Sequence, residues 1–130
     1  MTIEAADLLG LAQELVQGDG ECKWRSAVSR SYYAAYHQCL AWEQTLPKVG
    51  HAMGYAGGSH QQLINRLRNP DSSCTASQQT QSRLLAAKLE VQRTRRHVSD
   101  YELGPVISKA ECETHVAQVQ SLLSSCTTAS

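Results

Sequence analysis

Apolar residues recur along this chain at spacings of three and four, the period of one helix face, and polar or glycine-rich stretches separate the marked segments. Residues 3 to 17 place Ile3, Leu8, Leu11, Leu15 and Val16 on one side, with Thr2 as a cap and Gly18 and Gly20 as a stop. From Glu21 to Glu43 the stripe is Trp24, Ala27, Val28, Ser31, Ala35, Cys39 and Trp42, whose small members allow close packing. Tyr32, Tyr33 and Tyr36 widen its buried arc and bring hydroxyls that need partners, for which the later arginines are suited. Residues 44 to 58 carry one proline and four glycines and read as a loop. Ser59 and Gln62 form a capping box ahead of Leu63, Ile64 and Leu67, and Asn69-Pro70-Asp71 ends that short helix. A polar linker follows over 71–82, and its end supplies the first turn of the next helix.

The longest segment, residues 83 to 103, offers Leu84, Ala87, Val91, Val98 and Tyr101 as its inward face. Arg93, Arg96 and Asp100 share the opposite face, flanked by Arg95 and His97. Gly104 and Pro105 end it. Ser108 and Glu111 then cap a last helix, with Ile107 and Cys112 as a hydrophobic staple, Val116, Val119, Leu122 and Leu123 inward, and residues 124–130 expected to fray. The pattern predicts an all-α protein, an antiparallel four- to five-helix bundle in one domain over 1–130, with the 22–43 and 83–103 helices at its centre.

Composition changes this picture in three respects. Phe is absent and β-branched residues are dispersed, which speaks against strands. Twelve basic and twelve acidic residues cancel, so any attraction for nucleic acid must be local, as in the cluster of Arg93, Arg95 and Arg96, to which Arg66 and Arg68 add. Five scattered cysteines without a CxxC pair predict free thiols in a reducing cytoplasm, neither a disulfide framework nor a zinc cluster. No histidine pair has metal-ligand spacing and no GxSxG elbow occurs, so neither a metal, a cofactor nor acyl-transfer chemistry is expected. No run approaches a membrane span and the start lacks the pattern of a signal peptide, so the expectation is a soluble, cytoplasmic protein.

The bland reading of the arginine cluster is a solvated face with an Arg96–Asp100 pair. Two stretches together point further. SRSYYAAYH and, later, RTRRHVSDYEL resemble the HEPN domains (higher eukaryotes and prokaryotes nucleotide-binding), in particular small stand-alone prokaryotic members with a YYAAF-like segment and an Arg-x-x-Ala-Asp-Tyr-like segment. The resemblance covers both central helices and implies the HEPN-type bundle. Many HEPN proteins are metal-independent endoribonucleases, in which an arginine and a following polar residue precede a histidine, and two protomers share one cleft. Arg96 matches the arginine and His97 the polar position, but Tyr101 stands where the histidine is expected. The unperturbed pKa of tyrosine, about 10 against about 6.5 for histidine, makes it the poorer base at neutral pH.

The resemblance implies that Arg96 contacts the scissile phosphate, that His97 or Tyr101 carries the proton with Asp100 orienting them, and that Arg93, Arg95 and Tyr33 bind RNA. It implies a toxin or antiphage-defence ribonuclease acting as a homodimer through the Arg93–Tyr101 region. A second tyrosine that a nucleotidyltransferase antitoxin modifies in related toxins is replaced here by Leu103. The alternative is a non-catalytic HEPN module that binds RNA, a nucleotide or a partner nucleotidyltransferase. A third reading, from the residues alone, is a bundle that serves only for oligomerisation.

Overall fold

The computed structural model describes residues 4–54, 57–104 and 106–128. Thr2, Ile3 and Pro105, to which capping, core and stop roles were assigned, lie outside them. The chain forms five helices, α1 (Ala5–Val16), α2 (Glu21–Glu43), α3 (Ser59–Arg68), α4 (Ala76–Tyr101) and α5 (Lys109–Thr128), with no strand among the described residues. This is an all-helical bundle organised on α2, which packs against α1, α4 and α5. Its stripe of Ala27, Val28, Ser31, Ala35, Cys39 and Trp42 is buried as the spacing predicts, and Tyr32 and Ala34 join it. All five cysteines are free thiols. Among the described residues no helix is long and apolar enough to cross a membrane.

The short helices follow their pattern with small shifts. Leu63, Ile64 and Leu67 bury α3, while in α1 the buried set is Leu9, Ala12 and Val16, with Leu11 exposed. The Ser59–Gln62 capping box does not form. Gly58 occupies the cap position, and the Gln62 amide donates to the Gly57 carbonyl at 2.7 Å. Ser108 does cap α5, accepting from the Glu111 N–H at 3.1 Å. That helix continues to Thr128 with Cys126 buried, so fraying from residue 124 is not observed. The reason is a neighbour: Cys126 joins the core cluster that contains Cys39 of α2.

Two expectations about α4 are corrected. It starts at Ala76, well inside the linker of which only the end was expected to be helical, because Thr75 and Gln78 form a capping box: the Gln78 N–H donates to Thr75 Oγ1 at 3.1 Å, and the Thr75 N–H to Gln78 Oε1 at 2.9 Å. Its buried face is also rotated. Ser82, Leu85, Ala86, Leu89, Gln92 and Ser99 face inward, whereas Leu84 and Val91 are 46% and 47% exposed and Tyr101 is 63% exposed. Three of the six inward residues are polar, and a stripe sought by apolarity alone passes over them.

Polar contacts then fix the helices relative to one another. Glu43, at the end of α2 and 2% exposed, receives both Nε and Nη2 of Arg66 at 2.8 and 2.9 Å, which anchors α3. The 44–58 loop lies against the far end of α3, where a Cβ on Gly50 would come within 2.0 Å of the Arg66 carbonyl oxygen. Only glycine fits there. Arg25, 7% exposed, reaches from α2 to the C-terminus of α4, its Nη1 donating to the carbonyls of Val98, Ser99 and Glu102 at 3.1, 3.1 and 2.9 Å. Carbonyls at a helix end lack intrahelical donors and carry partial negative charge, so a buried guanidinium is stabilised there.

Removing this arginine strands buried carbonyl groups. Arg25→Met is expected to lower unfolding free energy by about 2–4 kcal/mol in urea titrations. Loss of its half-exposed partner Glu21, as Glu21→Gln, should cost less than about 1 kcal/mol.

Candidate functional site

Five of the residues singled out from sequence meet where α4 ends against α2. Arg96 Nη2 donates to the Tyr33 hydroxyl at 2.8 Å, and its Nε lies 2.9 Å from Asp100 Oδ2. The latter contact is an ion pair without donor alignment, since the buried Nε lacks a directed hydrogen bond. Asp100 also accepts from the Ser29 hydroxyl at 3.2 Å. The Arg96 guanidinium carbon is 5.3, 5.4 and 5.9 Å from the ring centres of Tyr33, Tyr101 and Tyr32, within cation–π range. Its Nη1 has no protein partner among the described residues.

His97 and Tyr101 are exposed one turn apart, with ring centres 5.1 Å from each other. Asp100 holds neither of them; its contacts go to Arg96 and Ser29, which corrects the expectation that it orients the proton carriers. Glu90, Arg93, Arg96, His97 and Glu102 line a shallow cleft of about 310 Å³ whose walls all come from α4 and its cap.

Arg93 turns toward α3 and donates to the Gln61 side chain. Arg95 does not join the cluster. It faces α5, where Nη1 donates to His115 Nε2 at 3.0 Å and to Gln118 Oε1 at 3.3 Å. Helical geometry explains the split, because adjacent residues point about 100° apart.

His60, at the start of α3, is the neighbour that the sequence pattern did not single out. Its ring stacks on Tyr36 with centres 4.2 Å apart and on Tyr32 at 5.5 Å, and its Nδ1 lies 2.5 Å from the Tyr32 hydroxyl. Burial, followed by the charges of Arg96 and Arg93, lowers the His60 pKa. Burial raises that of Tyr32, with Arg93 and Arg96 opposing, so the phenol stays protonated and shares a hydrogen bond with the imidazole. The available signal was only the Ser59-His60 step at a helix start. Nothing local pairs it with a tyrosine 28 residues away.

Among the described residues no three His, Cys, Asp or Glu side chains gather as a metal-ligand set. The arrangement offers a held guanidinium with a free amino group, aromatic faces, and two exposed side chains able to transfer protons. Comparison of this chain with protein-family models, with curated proteins and with solved structures finds no match.

On the other face of α4, His115 is buried and its pKa is lowered to about 4, by burial first and then by Arg95. An unfolded histidine binds its proton near pH 6.5, well above the folded value, so the unfolded state takes up more protons between the two. Stability from this group is therefore complete above about pH 6.5 and falls as pH drops toward 4. Thermal melting at stepped pH should show this acid limb, and His115→Gln should flatten it.

Proposed function

We propose that this chain is a HEPN-type protein that acts on RNA as a homodimer and cleaves it without a metal, in the manner of toxin or antiphage-defence ribonucleases. The observation that carries the reading is Arg96, held by Tyr33 and Asp100 among tyrosine rings with Nη1 left for a phosphate oxygen. A cleft walled by one helix supports the dimer, since a second copy of the same face supplies the missing wall.

In this reading the RNA 2′-oxygen bonds to phosphorus and the bond to the 5′-oxygen breaks, leaving a 2′,3′-cyclic phosphate. His97 or Tyr101 takes the 2′-hydroxyl proton, and a proton passes to the departing 5′-oxygen. Arg96 balances negative charge as it grows on the non-bridging oxygens. Arg93, held beside α3, adds a second cation, and the half-exposed Tyr36–His60 stack offers a surface to an unpaired base.

One observation favours the second reading, a non-cleaving module that binds RNA, a nucleotide or a partner nucleotidyltransferase. His97 and Tyr101 are exposed and touch each other by ring contact, with no described hydrogen bond setting either in place as a base.

Incubation with a mixed RNA pool in chelator separates the two. Cleavage yields 2′,3′-cyclic phosphate ends and falls about 10²–10³-fold in Arg96→Ala that still folds. His97→Gln and Tyr101→Phe then identify the proton carrier. Intact RNA with salt-sensitive binding instead leaves the non-cleaving module, and undiminished cleavage by Arg96→Ala removes the assignment.

A further inference from the structure

Arg95, turned away from the RNA-facing cluster, lines a cavity of about 300 Å³ between α2, α4 and α5, at the lower end of the range of small-molecule pockets. Val28, Val98 and Ile107 supply apolar wall from three different parts of the chain. The polar lining is unusual in how much of it is fixed in advance. Gln92 donates to Gln118 Oε1 at 2.9 Å, so its own Oε1 accepts from His115 Nδ1 at 2.8 Å. A neutral His115 therefore presents Nε2 as an acceptor, and Arg95 Nη1 fills it at 3.0 Å while also meeting Gln118.

This chain of bonds holds the guanidinium by one amino group. Its Nε and Nη2, the edge that pairs side-on with a carboxylate, have no protein partner among the described residues. Glu111 lines the same cavity and is not paired with Arg95; its contact is the Ser108 hydroxyl at 3.3 Å. Glu111 precedes His115, the partner of Arg95, by one turn of α5, about 6 Å along the axis, so the lining holds an acidic and a basic group at different levels. Ser99, on the same wall, has a buried hydroxyl without a hydrogen-bond partner. A simple fatty carboxylate would satisfy Arg95 and oppose Glu111. A zwitterion satisfies both.

We propose that this cavity is a binding site for a small apolar amino acid, its carboxylate on the Arg95 Nε–Nη2 edge, its ammonium toward Glu111, and its side chain against Val28, Val98 and Ile107. Val98 and Ser99 are also the residues whose carbonyls Arg25 holds, so an occupant touches the segment that carries Asp100 and Tyr101. The site does not depend on whether the chain acts on RNA.

The test is methyl and amide NMR on the full chain with L-leucine, 4-methylpentanoate and 3-methylbutylamine, which carry the same branched body with both charges, the carboxylate alone and the ammonium alone. Leucine is expected to shift Val28, Val98 and Ile107 methyl signals with at least tenfold tighter binding than either analogue. Arg95→Met should abolish the shifts. Glu111→Gln should weaken leucine and bring 4-methylpentanoate level with it, a reversal that mere unfolding does not produce. Leucine without effect on these methyls at millimolar concentration overturns the proposal, as does 4-methylpentanoate binding as well as leucine to the unaltered protein.

Discussion

Carbonyl oxygens at the end of a helix need donors, and in this bundle the end of α4 lies against α2. Arg25 meets that need by placing one guanidinium nitrogen among the carbonyls of Val98, Ser99 and Glu102. Much of what is distinctive in the molecule depends on this contact. It fixes the last turn of α4 against the first turns of α2, which brings Ser29 to Asp100 and Tyr33 to Arg96. A guanidinium serves here because its several donors spread over a plane and its charge complements the negative end of the helix. Lysine has the charge without that geometry.

The same constraint recurs wherever polar groups are enclosed. Glu43 with Arg66 ties α3 to α2, and Gln92, His115, Gln118 and one amino group of Arg95 share a chain of hydrogen bonds between α4 and α5. Buried polar groups without partners cost more than their bonds contribute when made, so such sets specify one arrangement of helices. Ser99 Oγ stands outside that pattern, at the wall of a cavity. The two faces of α4 therefore differ in kind. One carries Arg93, Arg96 and His97 along an open cleft, and the other carries Arg95 to His115 and Gln118 of α5.

The open face is a shallow cleft on α4. Its walls come from α4 and its cap, and the exposed Leu84 and Val91 lie on the side of that helix away from Arg93 and Arg96. The His60–Tyr36 stack sits beside the arginines as a platform contributed by α2 and α3.

The all-helical class, the stripe of α2, the core residues of α3 and α5, and the proximity of the tyrosines to an arginine followed from spacing and residue type in the sequence, because side-chain periodicity and the need of a buried hydroxyl for a partner are local properties. The start of α4 was also legible in Thr75 and Gln78, although the polar linker masked it. Only the tertiary structure decided which face of α4 is buried, since Ser82 and Gln92 go inward for partners supplied by other helices. It alone separated Arg95 from Arg96, joined His60 to Tyr32, and gave Arg25 its place, in each case through contacts between residues at least 20 positions apart.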